Sequence, residues 1–248
     1  MKHHLLLGLL FFIMINTTQA QSGRDYMSIA VGPAILYGEN TGYFSKLRVR
    51  TLPAISISYN RELHQKFDLR TTLGTQFFDG AGTQASMQKK WAGTGQAYDV
   101  KGQAYYVDVM PTYNFTPDLN IGKYKISYYA GVGMGLMHVE REAKISEKAT
   151  ETDGGQTDYI SSVEKQRTTA IYFPVRAGLS TNLTRNWDFG LEWSVLTAAS
   201  TNLDGNNTRH NSIRPDMLLQ FQFMAKRDLF PNYKKRSSPD TNLYGPGL

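Results

Sequence analysis

Phe173-Pro174-Val175-Arg176-Ala177-Gly178-Leu179-Ser180 and, after the turn Asn182-Leu183-Thr184-Arg185-Asn186, Trp187-Asp188-Phe189-Gly190-Leu191-Glu192-Trp193-Ser194 alternate residue by residue between two kinds of side chain. Odd positions are apolar or aromatic, and even positions are small, polar or charged. Period two places successive side chains on opposite faces of a strand, so each of these strands meets two different environments. The same alternation recurs along the chain at Ile29 to Tyr37, Leu47 to Tyr59, Phe67 to Phe77, Ala104 to Tyr113, Tyr124 to Leu136 and Asp216 to Phe223. With the two quoted stretches, this makes about eight strands, each near the ~10 residues that a tilted membrane strand needs.

The connections alternate as well. Asn60 to Gln65, Pro117 to Asn120 and Asn182 to Asn186 are short and rich in Asn, Asp and Pro, as turns are. Gly38 to Lys46, Asp79 to Gln103, Glu140 to Gln166 and Ala198 to Arg214 are long and polar. Short links at one end and long links at the other are the arrangement of bacterial barrels, with the short turns in the periplasm. The expected fold is therefore all-β: a transmembrane up-and-down antiparallel barrel of about eight strands, with both termini in the periplasm. A soluble β-sandwich also alternates, but two features favour the barrel. Tyr37, Tyr59, Tyr105, Tyr113, Tyr124, Trp187 and Trp193 recur at strand ends, as interfacial girdles require. Gly131, Gly133 and Gly135 share one face of one strand, which suits a narrow lumen.

Residues 1–20 read as a signal peptide: Lys2, an apolar run from Leu5 to Ile15, then Thr18-Gln19-Ala20 as a small-residue cleavage site. The run is too short for a membrane helix, which takes ~20 apolar residues. Residues 21–225 form the expected barrel, and 226–248 a flexible basic periplasmic tail. The 248 residues contain no cysteine, so thiol catalysis, disulfides and thiolate metal sites are excluded. Of the net charge of +6, half lies in the tail, where five basic residues against two acids follow Ala225, and Lys2 adds one in the leader; no clustered basic face suggests nucleic acid.

If the apolar face meets lipid, the other face fills the lumen. Arg70, Asp108, Arg176 and Glu192 then lie at a similar height, about four to six residues above the periplasmic turns. Arg70 and Asp108 are expected to face inward on neighbouring strands, as are Arg176 and Glu192. Buried charges need partners, so the four read as a structural plug of ion pairs, with Arg48 and Arg50 also taking up lumen space. No catalytic, cofactor or metal site is expected. Of the later histidines, His64 falls in a periplasmic turn, His138 has lipid-facing parity, and His210 has only Asp204 near it in sequence.

Ser56-Ile57-Ser58-Tyr59-Asn60-Arg61-Glu62-Leu63 with Lys66-Phe67-Asp68-Leu69-Arg70, the run Tyr128 to Gly135, and the two stretches quoted first resemble small outer-membrane barrels of Bacteroidota within the OmpA-like superfamily. Gly38-Glu39-Asn40 and Thr201-Asn202-Leu203-Asp204-Gly205 are similar to the small barrel of the type IX secretion apparatus. That resemblance implies an outer-membrane protein, embedded in lipid, that associates with periplasmic lipoproteins of the machine. The polar insertions of the second and third long loops and the long tail depart from it. Within the tail, Phe230, Tyr233, Leu243 and Tyr244 are apolar anchors that suit partner docking. The alternative is a surface adhesin or ligand-binding barrel acting through its extracellular loops. No enzymatic role and no small-molecule substrate is indicated.

Overall fold

The computed structural model of the chain describes residues 25–38, 50–64, 66–80, 88–89, 91–115, 119–121, 124–148, 159–182, 187–206 and 215–229. The alternating stretches are strands: β1 (Asp25–Tyr37), β2 (Leu52–His64), β3 (Phe67–Asp79), β4 (Ala97–Asn114), β5 (Leu119–Ile121), β6 (Tyr124–Val132), β7 (Met134–Lys148), β8 (Tyr159–Asn182), β9 (Trp187–Ala198) and β10 (Met217–Asp228). Every pairing is antiparallel. β1 pairs with β10 as well as β2, so the sheet closes on itself and leaves no first or last edge.

β6 and β7 are two parts of one stave. Both pair with β4 and with β8, and between them Gly133 N still donates to Pro174 O at 3.0 Å. Nine strand segments thus form the ring and make eight staves, while β5 pairs only with β6. Gly133 and Gly135 are needed on this stave because their neighbours crowd it. A Cβ at Gly133 would lie 2.7 Å from Met110 Cβ, and one at Gly135 would lie 2.7 Å from Asp108 Cβ.

The two faces are reversed relative to a soluble protein. Outward side chains such as Leu73, Val132 and Trp193 are 64%, 60% and 59% exposed, while inward Ser58, Thr72, Gln76, Ser194, Gln220 and Gln222 are buried. A β-sandwich would bury the apolar set. This protein presents that set around a closed ring, which only a lipid surround satisfies. The chain is an all-β barrel of the outer-membrane type. The apolar girdle includes Ile29, Ile57, Val107, Leu136, Val175 and Phe223.

The strands depart from the expected boundaries chiefly at one end. β1 and β3 have 13 residues each, but β4 has 18, β7 has 15 and β8 has 24. β7 and β8 stay paired from Gly135↔Tyr172 to Lys148↔Tyr159. Most of the expected loop Glu140 to Gln166 is therefore a β-hairpin rising beyond the apolar girdle. β4 joins it from Ala97, inside the expected loop Asp79 to Gln103. β10 runs to Asp228, past the expected barrel end at Ala225. Leu47, Arg48 and Val49 lie outside the described residues. Arg50 precedes β2 and is no lumen residue: it is exposed and bonds Asp79 at the outer rim.

Candidate functional site

Two regions carry the chemistry of the described residues: the middle of the lumen, and the cap over its outer mouth. Arg70 on β3, Asp108 on β4, Arg176 on β8 and Glu192 on β9 all point inward and are at most 2% exposed. Arg176 donates from Nη1 to Asp108 Oδ1 at 2.8 Å and from Nη2 to Asp108 Oδ2 at 2.6 Å. Arg70 grips Glu192 in the same two-pronged way, through Nη2 to Oε1 at 3.0 Å and through Nη1 to Oε2. Arg176 Nε lies 3.8 Å from Glu192 Oε1 and links the two pairs. Such forked bonds are the stronger form of the arginine–carboxylate pair.

Neither forked pair runs between neighbouring strands: Arg70–Glu192 crosses the barrel from β3 to β9, whereas Arg176–Asp108 joins β8 to β4 past the single β6/β7 stave. In the β3–β4 ladder Asp108 is opposite Thr72, and Arg70 is opposite Met110. In the β8–β9 ladder Arg176 is opposite Ser194, and Glu192 is opposite Gly178. The long stem of Arg70 carries its guanidinium over the narrow lumen to the far wall, while Arg176 reaches only past the intervening stave to its carboxylate. Neutral side chains take up further capacity of three of the four groups. Ser58 Oγ accepts from Arg70 Nε at 3.0 Å, Tyr129 OH donates to Glu192 Oε2 at 2.6 Å, and Tyr172 OH donates to Asp108. These helpers carry no charge, and inward parity alone marks them in the sequence.

Above the quartet, Gln220 Nε2 donates to Gln76 Oε1 at 2.9 Å, and Gln76 Nε2 donates to Ile35 O at 3.2 Å. Leu36, Phe78, Tyr106, Met137, Leu196 and Leu218 pack around them as an apolar layer. Below the quartet, Lys226 faces inward with Nζ 4.2 Å from the Tyr26 ring centre. Asn114 Nδ2 donates to Asp68 Oδ2 at 3.1 Å, and Tyr26 OH donates to the same carboxylate. The space left there is about 10 Å³, bordered by Asn60 and Thr112, room for about one water. Side chains thus close the lumen at several heights, as an eight-stave barrel allows.

The outer cap is made by residues that follow β9. Leu203, Asp204 and Asn206 are buried. Asn206 acts as a one-residue strand against the start of β4: its Oδ1 accepts from Ala97 N at 2.8 Å, and its Nδ2 donates to Ala97 O at 3.1 Å. Gly205 allows the tight turn with φ at 88°. Asp216 Oδ2 accepts from Leu203 N at 2.6 Å. Arg141, inward on β7, donates to Thr168 Oγ1 at 2.8 Å, Gln166 Oε1 at 3.0 Å and Asn202 Oδ1 at 3.1 Å. A second segment braces the hairpin. Gly93 N donates to Ser146 O at 3.0 Å, and Tyr98 OH donates to Ser161 Oγ at 3.1 Å. Lys144 Nζ donates to Asp99 Oδ2 at 2.8 Å, and this bond holds the ammonium above the usual lysine range.

On the outer face of the hairpin the charges pair in rows. Arg167 Nε lies 3.1 Å from Glu140 Oε1, and Lys165 Nζ lies 3.8 Å from Glu142 Oε1. With Phe77, Lys101 and Gln103 they line an open depression of about 700 Å³. His138 bonds Thr169 Oγ1 at 2.8 Å on this outer side, and exposed His64 ends β2. Among the described residues no three histidine or carboxylate side chains gather as metal ligands. His210 and the tail residues Phe230, Tyr233, Leu243 and Tyr244 lie outside the described residues.

No family model and no curated protein matches the chain. Among solved structures it is similar to Neisserial surface protein A, at 12% identity and a TM-score of 0.47, over 82% of this chain and 96% of that one. It is similar to Ail, the attachment invasion locus protein of Yersinia pestis, at 12% identity and a TM-score of 0.44, over 84% and 99%. It is also similar to the outer membrane protein OprG of Pseudomonas aeruginosa, at 10% identity and a TM-score of 0.38, over 85% and 98%.

Proposed function

We propose that the protein is a closed, non-catalytic outer-membrane barrel whose work is done outside the cell, by the strand platform that it anchors. The observation that carries this is the continuation of β4, β7 and β8 past the apolar girdle, above a lumen shut by the Arg70–Glu192 and Arg176–Asp108 pairs. A solute path needs an aqueous lumen, and an enzyme needs an open cleft with reactive groups. The polar side chains here are spent on one another. Short links near His64–Phe67 and Asn182–Trp187 share an end with Asp25 and Asp228. By the rule for bacterial barrels, this end belongs in the periplasm and the hairpin outside.

The lack of cysteine makes a clean test possible. A single cysteine at Val163 is expected to react with a membrane-impermeant maleimide on intact cells. One at His64 is expected to react only after the outer membrane is permeabilised. The reverse pattern, or labelling of neither in intact cells, overturns the external platform.

A second reading follows the resemblance to the secretion-machine barrel. It is favoured by one contact between its two motifs: a Cβ at Gly38 would lie 3.0 Å from Asp204 Oδ2, so these two residues meet at the outer mouth. Under this reading the residues after β10 dock a periplasmic lipoprotein. Deleting Leu229 to Leu248 should leave a folded barrel with a heat-dependent gel shift but remove co-purifying lipoproteins. Retention of every partner by the shortened chain argues against it.

A further inference from the structure

The closed barrel removes sheet edges, but the hairpin restores one. β8 pairs with β9 only from Tyr172↔Ala198 downward, and pairs with β7 all the way to Tyr159↔Lys148. Between Tyr159 and Ile171, no strand among the described residues lies on the other side of β8. The direction of its backbone groups follows from one bond. The carbonyl of Ile171 points to the β9 side, where it accepts from Ala199 N at 2.8 Å. Backbone groups alternate in direction along a strand, and the β7–β8 register runs without a shift. The N–H and C=O groups of Arg167, Lys165, Val163 and Ser161 therefore face the open side. Thr168 is partly covered, since its Oγ1 donates to Asn202 O at 3.3 Å.

A bare edge of this kind is a template for another strand. We propose that the β8 edge from Ser161 to Arg167 receives an extended segment of a partner protein as an added strand, with acidic side chains at alternate positions. This rests on the external platform proposed above and names its partner by chemistry. The closed side of β8 already shows the complement, because β7 answers Arg167 with Glu140 and Lys165 with Glu142. Both bases are still 75% and 86% exposed along the side chain, within reach of a strand on the open side. Val163, 59% exposed on the same face, offers an apolar contact next to them. A second copy of this chain is the poorer occupant. Laid along the same edge, it sets its own Lys165 and Arg167 beside those of the first copy, with no acid on the added strand to answer them, and like charges across a strand pair are unfavourable.

The test uses the whole chain in lipid nanodiscs and three ten-residue peptides: alternating Glu and Val, alternating Lys and Val, and alternating N-methylated Glu and Val, which lacks the N–H groups that would face β8. The Glu–Val peptide is expected to slow amide exchange at Ser161, Val163, Lys165 and Arg167 by about tenfold or more, leaving the even positions unchanged. The other two peptides should slow none of these amides. Val163→Pro removes an N–H that faces the open side, so the β7 ladder and the barrel persist while the protection disappears. Lys165→Glu with Arg167→Glu should transfer the effect to the Lys–Val peptide. Equal action of the N-methylated peptide means simple charge attraction, and overturns strand addition. Slow exchange at the odd positions in the free protein means that this chain or a second copy covers the edge, and overturns it as well. Cysteine labelling at Val163 is independent of these outcomes, so loss of the strand site and loss of the external platform are told apart.

Discussion

Glu192→Ala is expected to destabilise the barrel by about 3–5 kcal/mol, the cost of breaking a buried pair and leaving one charge unanswered. Arg70 loses the carboxylate that it grips with two bonds and keeps its bonds to the neutral Ser58 hydroxyl. Arg176 loses only a contact at 3.8 Å and keeps both bonds to Asp108. Replacing Arg70 and Glu192 together by leucine should cost less than either single change, because two apolar side chains leave no buried charge behind. Tyr129→Phe removes one hydrogen bond to Glu192 and should cost about 1–3 kcal/mol, the range for a bond to a charged group. Urea unfolding in lipid vesicles ranks the variants. Equal destabilisation by the single and double replacements would falsify a sealed, mutually dependent quartet and mean that water reaches these groups.

Gly135→Val should act on the same quartet through packing. A Cβ at this position would lie 2.6 Å from Tyr172 Cε1 and 2.7 Å from Asp108 Cβ, with the carbonyl of Val107 behind it. Backbone blocks one direction, so the Tyr172 ring must move, and its hydroxyl then leaves Asp108. Overpacking costs about 1–3 kcal/mol and a lost buried hydrogen bond a further 1–3. Together these approach the stability of a small domain, so most of the chain should run at its unfolded position on unheated gels. Leu136→Val, one residue along on the lipid face, should change little, because its side chain is 55% exposed and meets lipid only. Normal folding of Gly135→Val would show that this part of the lumen is roomier than described.

The eight staves and their inward and outward faces were legible because lipid and lumen impose opposite demands on every second residue. Legibility ended where lipid ended. Above the girdle β7 still alternates, with Val139, Arg141, Ala143 and Ile145 buried, but the outward positions hold Glu140, Glu142 and Lys144, which meet water. Without apolar outward residues the alternation reads as a polar loop. The height of the four lumen charges followed from counting along each strand. Their forked partners did not, because pairs that skip a stave or cross the lumen depend on the width of the closed ring and the reach of arginine. Lys226 was grouped with the basic tail by composition, although its parity along β10 places it inside against Tyr26. The clamp of Asn206 on Ala97 spans 109 residues, and no local pattern announces it.

The seam between β1 and β10, from Tyr26↔Asp228 to Tyr37↔Met217, also bears on biogenesis. The first stave finds its second neighbour only when the last one arrives, so no portion of the ring can be completed while the chain is still being delivered. The lumen pairs impose the same order, with Arg176 and Asp108 separated by 68 residues and Arg70 and Glu192 by 122. Until closure these four charges need water. Insertion, dehydration of the interior and sealing of the seam must therefore proceed as one concerted step at the bilayer, and a chain stalled before β10 is a substrate for quality control rather than a smaller barrel.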